Sequence, residues 1–190
     1  GKTVVLKAPE IACGLYLVAT PIGTASDISL RALELIKKAD VLVGEDTRKV
    51  VKLMGMHGIS VCKRPLLSYN DINGSRQRPK VLKHLKHGKS VALMTDAGSP
   101  LISDPGYRLV SEVISKGYAI HSVPGPSALI SAVTVSGLPT DRFIFAGFIP
   151  TKKQAKTTFL SEYGTTNMTS IFYETASRLA VTLVKMHELY

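Results

Sequence analysis

The run Thr95-Asp96-Ala97-Gly98-Ser99-Pro100-Leu101-Ile102-Ser103-Asp104-Pro105-Gly106 gathers glycines, prolines, serines and aspartates into one loop. Glycine lets backbone approach a ligand closely, proline holds the loop's shape, and the short polar side chains add hydrogen-bonding groups. The chemistry this composition supports is ligand binding by main-chain and hydroxyl groups. Ser90 to Met94, just before it, is an apolar run of strand length. Tyr107 to Lys116, just after it, has Leu109, Val110, Val113 and Ile114 at helical spacing. The loop therefore leaves the carboxyl end of a strand, the edge at which open α/β sheets bind ligands. An ordinary turn-rich connection is the alternative, but a loop this long between strand and helix is usually functional.

Missing motifs narrow the ligand. The first strand-to-helix turn, Thr20-Pro21-Ile22-Gly23-Thr24-Ala25-Ser26, is not G-x-G-x-x-G, and no G-x-x-x-x-G-K-[ST] occurs. Neither G-x-S-x-G nor H-E-x-x-H is present. His84 and His87 have ligand-like spacing on a predicted helix but no third partner nearby, which favours a solvated basic helix. His57, His121 and His187 stand alone, and Cys13 and Cys62 belong to no C-x-x-C. No metal site and no disulfide framework are expected. A ligand held mainly by backbone, such as an adenosine lacking phosphates, suits what remains.

The charge is unevenly placed. Of a formal +10 over 190 residues, an excess of nine lies between Arg31 and Lys89, with fourteen Lys or Arg against five Asp or Glu. A basic face of this kind neutralises phosphates, so RNA or DNA is the leading large partner. A solvated face that binds nothing specific is the alternative. With 45% hydrophobic and 20% charged residues the chain reads as a globular protein. No apolar run reaches membrane-spanning length and no signal-peptide pattern opens the chain, so the expected location is cytoplasmic.

The elements that must position these residues alternate. Gly1 to Ala12 has no period and reads as a loose leader, and Leu15 to Ala19 reads as a buried strand. Ser29 suits an N-cap for a helix with Leu30, Leu33, Leu35 and Ile36 inward. The strand Val41 to Val43 leads into the polar turn Gly44 to Arg48 and a helix from Lys49 to Met56, with Val50, Leu53 and Met54 inward. The strand Leu66 to Tyr69 precedes a polar, basic loop from Asn70 to Arg78, with Asn73-Gly74 as its turn. A helix from Val81, the strand and loop described above, a second helix and the strand Ala119 to Val123 follow. This pattern predicts an α/β fold with a mostly parallel first sheet. Pro124-Gly125-Pro126 marks the expected boundary between domains 14–123 and 124–190. Beyond it lie a helix from Ser127 to Ser136, strands at Phe143 to Phe148 and Ser170 to Tyr173, and helices near Lys152 to Tyr163 and from Ala176. Two strands rarely form an independent sheet, so the second domain is expected to be incomplete.

Several segments together resemble a known family. They are Leu15 to Gly23, Leu30-Arg31-Ala32-Leu33-Glu34, Glu45-Asp46-Thr47-Arg48, Asp96 to Arg108, Pro124 to Ala128, Gly137 to Phe143 and Phe172-Tyr173-Glu174. In this order they resemble ribosomal RNA small subunit methyltransferase I, of the tetrapyrrole-methylase fold group. Thr24-Ala25-Ser26 and Thr175-Ala176-Ser177 depart from the family's usual residues. The resemblance implies a two-domain tetrapyrrole-methylase-like fold and a homodimer. It also implies methyl transfer from S-adenosylmethionine to the ribose 2′-hydroxyl of a cytidine in small-subunit ribosomal RNA, free or in the ribosomal subunit. The cofactor would lie in a cleft between the domains. It would be held by Pro21, Ile22, Ala97, Gly98, Ser99, Ile102, Ser127, Ala128, Tyr173 and Glu174.

For such a reaction a base near the hydroxyl helps, and Glu45 and Asp46 are the candidates for base and orienter. The alternative is that Asp46 caps the following helix while Glu45 pairs with Arg48. Arg48, Lys49, Lys52, Arg76 and Arg78 are placed to meet RNA phosphates. A methylase of a small tetrapyrrole-like substrate would use the same cofactor loops without the basic third, and a non-catalytic RNA-binding module would keep only the charge.

Overall fold

The computed structural model describes residues 10–102 and 106–190. Most of the expected leader, and Ser103 to Pro105 of the long loop, lie outside the described residues. The chain divides into two compact units, 1–127 and 128–190.

In the first unit β1 (Gly14–Val18), β2 (Val41–Gly44), β3 (Leu66–Ser68), β4 (Ser90–Met94) and β5 (Ile120–Val123) form a sheet in the order β3-β2-β4-β1-β5. Every pairing in it is parallel, with Leu17 opposite Leu93 and Val43 opposite Leu93 on the other side. All five carboxyl ends therefore lie along one edge. The central strands β1, β2 and β4 carry near-continuous apolar runs because both faces are covered. Tyr16, Val18, Leu42, Ala92 and Met94 point to α1 (Leu30–Lys38) and α2 (Thr47–Met56). Leu15, Val41, Val43, Val91 and Leu93 point to α3 (Gly74–Lys86) and α4 (Tyr107–Ser115).

This layering places a switch in the chain's path. β1 and β4 are hydrogen-bonded neighbours, yet the chain leaves β1 for α1 on one face and leaves β4 for α4 on the other. Loops that diverge in this way open a crevice beyond the strand ends, where open α/β sheets bind their ligands.

Two sequence readings need correction. The inward face of α1 is Ala32, Leu35 and Ile36, with Leu33 half-buried and Leu30 73% exposed. The Ser29 hydroxyl accepts from Ala32 N–H at 3.0 Å and starts the helix where expected. Its first residue nonetheless falls off the stripe, and Ala32 allows close approach to the sheet. Residues 74–78 are the first turns of α3 rather than a loop. Asn70 Oδ1 accepts from Ile72 and Asn73 N–H, and Asn73 C=O accepts from Arg76 and Gln77 N–H at 3.0 Å, so the helix nucleates before Pro79. Proline disfavours helical backbone at the residue before it, but burial of Val81, Leu82 and Leu85 carries the helix through.

The second unit pairs β6 (Phe143–Phe148) with β7 (Thr169–Tyr173) in parallel, with an irregularity between Phe145 and Gly147. Its helices are α5 (Ala128–Val135), α6 (Lys153–Gly164) and α7 (Ala176–Leu189). Among the described residues no helix is long and apolar enough to cross a membrane.

The rotated face of α1 is open to direct test. Ile36→Ala removes a fully buried side chain and should cost about 2–5 kcal/mol. Leu30→Ala should stay within about 0.5 kcal/mol. Urea denaturation of the two variants measures the contrast, and equal losses would restore Leu30 to the core.

Candidate active site

The site begins where β1 ends. Thr20 N–H donates to Gly98 C=O at 2.9 Å and Gly98 N–H donates to Thr20 C=O at 3.0 Å, an antiparallel bridge between the loops that follow β1 and β4. Thr20 Oγ1 donates to Thr95 C=O at 3.3 Å. Gly98 adopts φ +81°, a conformation that favours glycine. Added bulk there would make only ordinary contact with Ile22, so the requirement for glycine is conformational. The loop after β5 joins the same surface, because Ser99 Oγ donates to Pro126 C=O at 3.0 Å. A Cβ on Gly125 would stand 2.9 Å from that of Ala19, so glycine is needed there for close approach. Leu101 takes φ +71°, a strained backbone for a residue with a side chain, and its Cδ2 would stand 3.3 Å from a Cβ on Gly106.

These bonds gather Pro21, Ile22, Ala97, Gly98, Ser99 and Ser127 onto the joined carboxyl-edge loops, with Ile102 further along the β4 loop. Ile22 and Ile102 leave more than a third of their surfaces exposed there. The groups offered are neutral: peptide N–H and C=O, the hydroxyls of Ser99 and Ser127, and apolar side chains. Such a set suits an uncharged nucleoside better than a chain of phosphates.

Among the described residues of the second unit, the Tyr173 hydroxyl accepts from Leu129 N–H at 3.2 Å, at the start of α5 beside Ala128. Glu174 follows β7, and its side chain is only 6% exposed. Its carboxylate accepts from Thr175 N–H, Arg178 Nε and Thr182 Oγ1 at 2.7–2.9 Å. Burial pushes its pKa up, but the bonds from Thr182, Thr175 and Arg178 outweigh it and hold the carboxyl below its usual value. Lys156 Nζ, also buried, donates to Thr182 Oγ1 at 3.0 Å. The Glu174 side chain is thus committed within its own unit.

The two candidate acids differ. Asp46 N-caps α2, accepting from Arg48 N–H at 2.9 Å, and binds the Arg48 guanidinium through both oxygens at 3.0 and 2.8 Å. Those bonds hold its pKa at about 2. The capping alternative is therefore present, but Arg48 pairs with Asp46 and not with Glu45. Glu45, half-buried on the turn after β2, is raised by burial and then by the nearby Asp96 carboxylate. Asp96, with no role assigned from sequence, joins the two loops: its Oδ1 accepts from Asp46 N–H at 3.2 Å and its Oδ2 pairs with Lys49. Only a contact remote in sequence reveals it.

The cations divide too. Arg48 and Lys49 are paired as described, and Arg78 Nε donates to Glu112 Oε2 at 2.7 Å. Lys52 and Arg76 make no ion pair among the described residues.

A five-stranded parallel sheet with a switch between β1 and β4, and neutral loops joined across it, make an open α/β fold with a crevice at its carboxyl edge. The family model of Tetrapyrrole (Corrin/Porphyrin) Methylases matches residues 14–190. The structure of the cobalamin biosynthetic enzyme cobalt precorrin-4 methyltransferase is similar, with a TM-score of 0.65 and 18% identity. That match covers 92% of this chain and 74% of the other. Among curated relatives, Ribosomal RNA small subunit methyltransferase I of Mesorhizobium japonicum is 48% identical over 92% of this chain and 58% of its own length. The protein of the same name from Thermotoga maritima is 43% identical over 92% of this chain and 77% of its own. The chain belongs to the tetrapyrrole methylase family and, within it, to ribosomal RNA small subunit methyltransferase I. It spans about three fifths of the length of the first curated relatives it matches.

The contrast between the acids generates a titration. Asp46 should stay ionised down to about pH 2, so its stabilisation is present above the ordinary carboxylate range and is lost as pH falls through that value. Glu45, raised, favours the folded state as pH falls through its own higher value. Carboxyl carbon NMR should show Arg48→Met moving Asp46 part of the way up and Asp96→Asn moving Glu45 part of the way down. Two acids titrating together, insensitive to both changes, would overturn this assignment.

Proposed function

We propose that the protein to which this chain belongs transfers a methyl group from S-adenosylmethionine to a cytidine 2′-hydroxyl in small-subunit ribosomal RNA. The observation that carries this reading is the joined pair of loops beyond β1 and β4, with Glu45 on the neighbouring β2 turn. Peptide groups at 97–99 and the apolar edges of Pro21, Ile22 and Ile102 would hold the cofactor in the first unit. Ser127 lies on the adjoining loop, and Ala128, Tyr173 and Glu174 are the positions proposed in the second unit. When bound, the cofactor supplies an activated methyl donor, so alignment of the acceptor oxygen is the protein's main task.

Glu45 would take the hydroxyl proton, since its raised pKa makes it a stronger base than Asp46. Asp46 would fix the start of α2 and hold Arg48. Lys52 and Arg76, unpaired among the described residues, would meet phosphates first, while Arg48, Lys49 and Arg78 would exchange a carboxylate for a phosphate. The excess of nine positive charges between Arg31 and Lys89 supports an RNA substrate, as do the names of the relatives.

The test is made on the whole protein with its ribosomal RNA substrate. Glu45→Gln should slow the chemical step about a hundredfold or more with cofactor affinity nearly intact, and Asp46→Asn should do less. A substrate with a single 2′-deoxycytidine at the target should bind but accept no methyl group. Methylation of that substrate would point to a base atom as acceptor and sink the 2′-O assignment.

A further inference from the structure

A cavity of about 280 Å³ lies between the loop after β1, the outer side of α2 and the start of the β4 loop. Its apolar wall includes Pro21, Leu53, Met56 and Met94. Met56 is 56% exposed, a large apolar side chain left open at the end of a helix whose other face is packed. At one side stands Asp96, and at the rim Lys52, which makes no ion pair among the described residues. Thr20, Thr95 and Asp96 are shared between this cavity and the loop junction, so the cavity adjoins the candidate site. Lys49 also lines it, and its charge is felt by Glu45.

Resting on the reading above, we propose that this cavity takes one unstacked nucleotide of the RNA. The base lies against Leu53 and Met56, and a flanking phosphate rests on Lys52. The volume is on the scale of a single nucleoside. An apolar slot is what an extruded base needs, because enzymes acting at one nucleotide draw it from the stack and read its polar edge. Asp96 supplies the reading group. Each of its oxygens already accepts one bond, from Asp46 N–H and from Lys49, yet an ionised carboxylate has about four acceptor positions. The capacity left over accepts from an exocyclic amine, the edge that distinguishes cytosine from uracil. Lys49 pairs with Asp96 and fixes the direction of its carboxylate, and Lys52, three residues further along α2, provides a cation free to meet phosphate.

The experiment measures affinity by fluorescence anisotropy, using the whole protein and two short RNAs: an oligouridine carrying a single cytidine, and the same length of uridine alone. The cytidine RNA should bind about tenfold more tightly. Leu53→Trp, which fills the slot, should erase that preference while leaving salt-dependent affinity for both RNAs. Lys52→Ala is a surface change with little risk to folding. It should weaken both RNAs, keep the preference and lower the salt slope by about 1. RNA binding without a cytidine preference, or a preference that survives Leu53→Trp, or a slope indifferent to Lys52, would overturn the cavity assignment and leave the proposed reaction standing. No affinity for either RNA would overturn both.

Discussion

The pair of hydrogen bonds between Thr20 and Gly98 is the constraint on which the candidate site depends. β1 and β4 run parallel through Val18 and Met94, and the chains beyond them turn away towards opposite faces of the sheet. Left to themselves, two diverging loops would carry unpaired peptide groups and a large conformational freedom. The reciprocal bonds at 2.9 and 3.0 Å close them against each other, and only a residue at ease with φ +81° can occupy the Gly98 side. Ser99 then reaches Pro126, and Gly125 presses on Ala19, so the third loop follows from the first two. A ligand meeting this edge finds donors and acceptors already oriented, which lowers the ordering cost of binding.

The same junction sorts the acids. Asp46, Glu45 and Asp96 lie close together, and three like charges would be costly without partners. Arg48 takes Asp46 and Lys49 takes Asp96, leaving Glu45 to carry the strain as a raised pKa. One carboxylate is held charged, one is held in place, and one is left ready to exchange a proton. Perturbed acids at a strand edge beside a cavity are a recurrent mark of function, though structural ion pairs perturb acids too. Here the ion pair lowers Asp46 while burial and the Asp96 charge raise Glu45.

Much of this was legible in the sequence because local rules dominate it. The apolar runs at 14–18, 41–44 and 90–94, the Ser29 cap and the long Gly/Pro/Ser loop need no remote contact to be read. The motif order carried the family. What could not be read depends on partners far away in the chain. Asp96 gains its role from Asp46 and Lys49, which lie about fifty residues earlier. Arg78 is tied by Glu112, and Glu174 is turned inward by Arg178, Thr182 and its own neighbour's amide. The start of α3 was hidden by Pro79, whose local preference the burial of Val81, Leu82 and Leu85 overrides. The inward stripe of α1 likewise depends on where the sheet lies, which its own spacing leaves open.

The reciprocal bonds between Thr20 and Gly98 build the loop junction from the chain's own peptide groups, ahead of any ligand. Amide hydrogen exchange at Thr20 and Gly98, followed by NMR with and without S-adenosylmethionine, tests it most directly. Both amides should exchange slowly in the free chain, as the neighbouring strand ends do, and slow further when the cofactor is added. Rapid exchange at both positions in the free chain, unaffected by the cofactor, would contradict the account.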